Sequence, residues 1–495
     1  MWTLLLACAD DPGKTPLGFE FWESGPPLRG EPYRGRTFSP TELGVNCAEL
    51  RGTDADVLHH NLQVPYRGHL ILPWSPEHGQ GGVSFFDMSD PCAPVRVGDG
   101  ITEDIRETHA IGTVYLPEGD PHAGDWMVTN GKDYGTVDTG PLFWDISDPT
   151  APEVVSLLLL PEAWYPDSYA RVSLSVFWQY PWLYVASADN GIFVVDATDP
   201  RNPVLVAELA FNLRAGGVFV LGNELLVSSA EQTHAALFDI SDPTNPVLLP
   251  GSPFATADRD GEPMETYHGN RSGDLALFAR KEGAGGPIIY DISDPTTPTF
   301  VADTELAGNG GYVFYDEGFL FVGESDHASI WDARALPALE QVAEGMLVGD
   351  LDTIVPWGNV ALLSVDEIED DGVIGEAATV VMPWAAEPDL TGPEVMSTNP
   401  EDGSGGWYSG ARVGIGFNEF VEPASVYPGS IRLLDGDLKP VDGWASAQEA
   451  LVSYTPKTPL APGTQYTVEV AGVTDLHGNP MSDVYRFSFS TADGG

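Results

Sequence analysis

Three of the ten histidines in this chain stand at matching places: His60 ahead of Leu62-Gln63-Val64, His109 ahead of Ile111-Gly112-Thr113-Val114, and His268 ahead of the apolar run ending at Leu277-Phe278. Neutral imidazoles are ligands for borderline metals such as zinc and copper. If the strands that follow them lie side by side around one axis, the three rings converge. Glu107 and Glu265 then stand close by as further oxygen donors. The competing reading makes each histidine a single polar residue lining a wet channel, because the matching positions elsewhere in the chain are Ser173 and Gly216.

Other chemistry is sparse. The sequence contains no HExxH, GxSxG or CxxC motif and no glycine-rich phosphate loop, so it offers no catalytic residues by motif. Many carboxylates occur in the form Asp-x-Ser-Asp-Pro, but one that returns at regular intervals reads as a turn element rather than a general base. The run Asp366-Glu367-Ile368-Glu369-Asp370-Asp371-Gly372 has oxygen ligands enough for calcium without the spacing of an EF-hand loop, and Asp258-Arg259-Asp260-Gly261-Glu262 is a weaker case. Zinc, copper or calcium is thus the cofactor class left open.

The elements that must position the histidines follow from a repeat. FFDMSDPCAPV (85–95), FWDISDPTAPEVV (143–155), VVDATDPRNPVLV (194–206), LFDISDPTNPVLL (237–249), IYDISDPTTPTFV (289–301) and the degenerate IWDARALPALEQV (330–342) share one pattern. Their aspartates Asp87, Asp145, Asp196, Asp239, Asp291 and Asp332 recur roughly every 40 to 60 residues, a period of β-propeller blades. The apolar residues before each Asp form a strand, and the Asp-Pro that follows forces a turn. A second Pro then opens an outer, edge-tolerant strand. Two more strand-like stretches precede each motif, which makes four strands per unit. A last unit, 353–383, has only three such stretches, and a strand from about Leu43 to Leu50 would complete it, giving seven blades and no exposed edge.

These motifs, clearest in WLYVASADNGIFVVDATDPRNPVLVAEL (182–209), resemble the LVIVD-repeat family over about residues 55–385. The resemblance implies a propeller in a bacterial or archaeal surface setting and no single activity. The first two repeats are read as carrying insertions at 75–81 and 118–135. Beyond Pro388, Phe417-Asn418-Glu419, Tyr454-Thr455-Pro456, Leu460-Ala461-Pro462-Gly463-Thr464, Val473-Thr474-Asp475 and Gly478-Asn479-Pro480 resemble the bacterial Ig-like domain of S-layer and other surface proteins. Alternation in Tyr466–Val470 and Tyr485–Phe489 independently predicts half-buried antiparallel strands of a sandwich. The expected fold is therefore all-β, a propeller at 46–388 followed by an independently folding Ig-like sandwich at 391–495.

Of 495 residues, 22 are basic and 74 acidic, for a net charge of −52. Such a polyanion is repelled by nucleic acid and anionic lipid. No apolar run is long enough for a transmembrane helix. Leu5-Leu6-Ala7-Cys8 matches the lipobox of bacterial lipoproteins, so residues 1–8 read as a signal remnant with Cys8 the lipid attachment site, and 9–45, rich in Pro and Gly, as a flexible tether. Cys47 and Cys92 would pair in an oxidising compartment, with free buried thiols the alternative. The function expected is non-enzymatic: a cell-surface or secreted propeller that binds an unidentified surface or extracellular ligand, with the Ig-like domain as spacer or adhesive module. The rival is a metal-binding or metal-dependent propeller, loosely similar to the selenium-binding and methanethiol oxidase propellers, that uses His60, His109 and His268.

Overall fold

The repeated Asp-x-Ser-Asp-Pro segment ends one strand and turns the chain by two successive side-chain-to-backbone hydrogen bonds. In the third copy Asp196 Oδ1 accepts from the Thr198 N–H at 3.0 Å, and Asp199 Oδ1 accepts from the Arg201 N–H at 3.0 Å. The same two bonds recur at Asp145 and Asp148, Asp239 and Asp242, and Asp291 and Asp294. These carboxylates are committed to Asx turns, which is the structural reason for the repeat.

The computed structural model describes residues 25–53, 62–75, 80–165, 170–281, 285–325, 327–365 and 378–493, together with two short strands at Glu369–Asp370 and Val373–Ile374. His60, Cys8 and the side chains of the 366–372 acidic run lie outside the described residues. Seven antiparallel sheets form the propeller. Blade 1 runs through Val64–Tyr66, His69–Trp74, Gly81–Asp87 and Val95–Thr102, and blade 2 through Gly112–Leu116, Gly124–Lys132, Thr139–Asp145 and Glu153–Leu157. Blade 3 is Ser175–Gln179, Trp182–Ala186, Ile192–Asp196 and Val204–Leu209. Blades 4, 5 and 6 begin at Ala215–Leu221, Thr266–Ser272 and Gly310–Asp316.

Blade 7 has Thr353–Trp357, Val360–Ser364 and Thr379–Pro383 from the end of the repeats, and its fourth strand is Ala48–Leu50, paired antiparallel to Thr379–Val381. The ring is therefore closed by a strand from the opposite end of the repeat region, as the three-strand count required. A disulfide between Cys47, beside that strand, and Cys92, in the first turn motif, ties the closure to blade 1. Burial follows position in the blade. Ser175–Gln179 is buried at every residue, whereas Val204–Leu209 alternates between exposed and half-buried.

Residues 118–135 do lengthen blade 2, through a longer first turn and the nine-residue second strand Gly124–Lys132, where the second strand of blade 3 has five residues. One expectation needs correction. The described part of the presumed tether, 25–45, is not free. It buries the rings of Tyr33 and Phe38, the Tyr33 hydroxyl donates to Asn359 Oδ1 at 2.8 Å, and the Phe38 N–H donates to Ala386 O. Two aromatic rings fix this aperiodic segment in a seam that composition alone cannot show.

The C-terminal sandwich has one sheet of Val395–Asn399, Val413–Phe417, Leu451–Pro456 and Gly443–Gln448, and a second of Ser404–Trp407, Tyr485–Thr491, Gln465–Val470 and Ile431–Leu434. It is not held away from the propeller as a spacer would be. It covers the face formed by the turns between the first and second strands of the blades. Glu422 accepts the Arg67 and Gly68 N–H groups of blade 1, Ala447 pairs with Thr113 of blade 2, and Gln448 Oε1 accepts the Trp178 N–H of blade 3. Asn399 Oδ1 accepts from Asn223 of blade 4, Asn270 of blade 5 donates to Glu449, and the Phe420 N–H donates to Asp316 of blade 6. At blade 7, Gly358 (φ +60°) leaves the space that the His477 ring fills, where a Cβ would lie 2.1 Å from Nε2.

The hairpin turn at Gln448–Leu451 reaches furthest in. Burial pushes the Glu449 carboxyl up to about 7, against the hydrogen bond from Asn270. A carboxyl raised in the folded state binds a proton that the unfolded chain has already lost, so its contribution is full below its ordinary range, near 4.5, and is lost as pH rises to about 7. The loss is on the order of 3 kcal/mol. Denaturant titrations of Glu449→Gln and the parent between these limits should show that much less pH dependence in the variant.

Candidate functional site

The innermost strands of a propeller begin at one end of its channel and turn at the other. The sandwich covers the turn end, so the strand starts mark the opposite end, and polar side chains gather there. His109 belongs to the segment Arg106–Ala110 that leads into the first strand of blade 2. Ile105 bridges to Gly131, and Arg106, fully buried, donates from Nη1 to the Ser173 carbonyl of blade 3 at 2.8 Å. Its Nη2 lies 3.2 Å from Glu107 Oε2. Asn130 Nδ2 braces the segment further by donating to the Leu174 and Glu107 carbonyls.

His268 is placed by a β-bulge. In blade 5 the pairing with the second strand skips from Tyr267 to Gly269, and His268 is the extra residue, with φ at +27°. A bulge re-aims one side chain, and a non-glycine residue at positive φ costs about 1–3 kcal/mol. Blade 4 has the same break between Ala215 and Gly217, where the residue is Gly216 and an added Cβ would meet Ser229 O at 2.7 Å. A strained histidine thus stands where the regular blade has glycine.

The bulge brings His268 to His109, with ring centroids 4.6 Å apart. Tyr312, at the corresponding break in blade 6, stacks on His268 at 4.6 Å and 10°, and its hydroxyl is 2.6 Å from His109 Nδ1. Glu107 Oε1 lies 3.0 Å from His109 Nε2, at ion-pair distance but off the line of a hydrogen bond. Tyr267 closes the group at 4.2 Å from His268, with Lys281 Nζ 4.5 Å above its ring.

Both histidines are buried, and His268 Nε2 has no hydrogen-bond partner among the described residues. Burial, then the neighbouring His109, holds the His268 imidazole well below its ordinary range, with Glu107 opposing. It is therefore neutral at physiological pH. A neutral, buried ring nitrogen without a partner can serve as a metal ligand or accept a hydrogen bond from a small molecule.

Of the three histidines proposed from sequence, the structure brings His109 and His268 together, while His60 lies outside the described residues. Glu107 joins them and Glu265 contributes its carbonyl, which accepts the Lys281 N–H. Tyr312 and Arg106 were missed. The signal for Tyr312 was present, because Gly310-Gly311-Tyr312 occupies the strand-start position that Ser173 and Gly216 hold in blades 3 and 4. Among the described residues, the set of three acidic or histidine side chains whose donor atoms come within 4.8 Å of one another lies elsewhere: Glu317, Asp389 and Glu419.

Comparison with known proteins agrees with this architecture. The LVIVD repeat family matches residues 180–210 and 283–304, and the bacterial Ig-like domain family matches residues 389–491. No curated protein sequence matches the chain. Solved structures similar to it include a functionally unknown protein from Desulfotomaculum acetoxidans, with 11% identity and TM-score 0.42 over 61% of this chain and 96% of that one. The periplasmic gluconolactonase PpgL of Pseudomonas aeruginosa has 9% identity and TM-score 0.45 over 73% and 96% of the two chains. A putative 6-phosphogluconolactonase from Bacteroides uniformis has 11% and 0.45 over 57% and 84%. These scores are too low to bear on activity. The four-stranded blades, the turn motifs and the two family matches make this chain an LVIVD-repeat β-propeller protein with a C-terminal bacterial Ig-like domain.

Proposed function

We propose that the protein is a binding protein of the bacterial cell surface or secreted space, and that its propeller binds a zinc or copper ion at the channel histidines. The observation that carries this reading is the buried pair His109 and His268, with His268 held in a strained bulge and its Nε2 without a partner among the described residues. Two imidazoles and the Glu107 carboxylate are the ligand types of such ions, and His60 remains the proposed additional ligand. The Tyr312 hydroxyl on His109 Nδ1 orients the ring as an outer partner of a metal ligand does.

The surface or secreted setting is supported by the Cys47–Cys92 disulfide, which persists in oxidising compartments, and by the lipobox at Cys8. No helix among the described residues is long and apolar enough to cross a membrane. An adhesive role for the Ig-like domain would fall to its outward sheet, since the other faces the propeller. Elemental analysis of the full chain, purified without chelator, should find stoichiometric zinc or copper. His109→Ala and His268→Ala should each lower that content while the circular dichroism spectrum is unchanged. A metal-free parent that also fails to take up either ion on titration would return the cluster to a polar channel lining.

A further inference from the structure

A second group of ionisable side chains, sharing no residue with the channel cluster, lies at the seam between blade 6 and the Ig-like domain. Asp316 and Glu317 stand at the end of the first strand of blade 6. Asp389 begins the Ig-like domain, Glu419 follows its strand Val413–Phe417, and Asp475 belongs to the Val-Thr-Asp motif. Donor oxygens of Glu317, Asp389 and Glu419 all lie within 4.8 Å of one another. None of the five carboxylates has a lysine or arginine ion pair among the described residues.

The partners these groups do have are few. Thr391 Oγ1 is 2.7 Å from Glu317 Oε1 and 2.9 Å from Asp389 Oδ1, and one hydroxyl proton cannot serve both. Asp316 accepts the Phe420 N–H, and Asp475 accepts from the His477 and Asn479 N–H groups and from Asn479 Nδ2. Glu419 is 3% exposed, and its Oε1 is buried with no partner.

We propose that Glu317, Asp389 and Glu419 bind a calcium ion that fastens the Ig-like domain to blade 6. The donors are all hard oxygens, the ligand type of calcium and magnesium, without the imidazoles of the channel. Calcium–oxygen distances of about 2.3–2.6 Å place oxygens on opposite sides of one ion about 4.6–5.2 Å apart, and donors within 4.8 Å of one another fall inside that span. Magnesium, with contacts of about 2.0–2.1 Å, requires a tighter set. Burial, followed by the charges of Asp316, Glu317, Asp389 and Asp475, pushes Glu419 up to about 11. This inference is independent of the channel reading, since the two sites share no residue.

The test uses the full chain stripped with EDTA. Calcium titrated at pH 7.5 should bind saturably and raise Tm by several degrees, and magnesium should bind at least tenfold more weakly. Glu419→Gln keeps the shape of the side chain and removes its charge. It should raise Tm in EDTA and lower calcium affinity at least tenfold, and Asp389→Asn should weaken calcium binding likewise. The proposal fails if calcium leaves Tm unchanged, if Glu419→Gln and Asp389→Asn bind calcium as the parent does, or if magnesium binds equally well. It also fails if lowering the pH, with no response to calcium, is all that stabilises the parent.

Discussion

Gly414→Val should destabilise the protein by about 4 kcal/mol or more, in the range reserved for disruption of a packed interface. The strand Val413–Phe417 reads Val-Gly-Ile-Gly-Phe, and its first glycine lies directly against the turn of blade 4. A Cβ at position 414 would stand 2.0 Å from the Gly222 nitrogen and 2.6 Å from the Leu221 carbonyl carbon, both backbone atoms that no rotamer change can clear. The domain must then lift from the propeller. That costs about 1–3 kcal/mol in overpacking and opens the buried bonds beside it, each worth about 1 kcal/mol. Those bonds include Asn399 Oδ1 with the Asn223 N–H and the Asn223 side chain, and the reciprocal pair between Asn223 and the Arg412 backbone.

Arg412 itself is buried, donating to Gln179 Oε1 at 2.5 Å and to the Ile240 carbonyl, so lifting the domain also removes a guanidinium from its acceptors. Gly405→Ala serves as the control. Its added Cβ would meet nothing closer than 3.9 Å, and its cost should stay within about 0.5 kcal/mol. Denaturant unfolding supplies the comparison, and limited proteolysis should cut Gly414→Val at the junction near Pro388 before the parent. Equal stability of parent and variant would mean that the domain rests on the propeller without contributing to its fold.

Removing the disulfide with Cys47→Ser and Cys92→Ser should cost about 4 kcal/mol by the chain-entropy estimate for a loop closed across 45 residues. The effect should be concentrated at one place. The closing strand Ala48–Leu50 contributes three residue pairs to blade 7, and Leu50 is its one fully buried side chain. So short a strand has little to hold it once the link to blade 1 is gone. Hydrogen exchange in the double variant should rise first at Ala48–Leu50 and Thr379–Pro383 and later in blades 3 to 5. A reductant should reproduce the loss in the parent and leave the double variant unchanged. Uniform exchange across all blades would show that the ring opens as a whole.

Much of the fold was legible in the chain because its information is local. A strand needs only its own apolar residues and a turn needs only its Asp, Ser and Pro, so Ile192–Asp196 and the turn through Asp199 could be read without knowing their neighbours. Recurrence of that unit fixed the blades, and the missing fourth strand of the last one called for a partner near Leu43–Leu50. The repeat also marked where the innermost strands begin, which is why His109 and His268 could be named from spacing. Tertiary structure decided what those positions do. The bulge that turns His268 onto His109 and Tyr312 is a pairing irregularity between two strands, and a sequence of strand-forming residues does not announce it.

The docked Ig-like domain lay beyond sequence reading for a related reason. Gly222, Asn223, Gly358 and Gly414 are ordinary turn or strand residues until a second backbone fills the space they leave open. Residues 25–45 looked like a tether because Tyr33 and Phe38 have no periodic partners in their own segment, and the groups that bury them are hundreds of residues away. The Glu317, Asp389 and Glu419 cluster likewise joins a blade turn, a domain start and a strand end. Each carboxylate alone is one of 74 acidic residues, and only the fold, by excluding water from Glu419 and setting the others around it, makes them a candidate site.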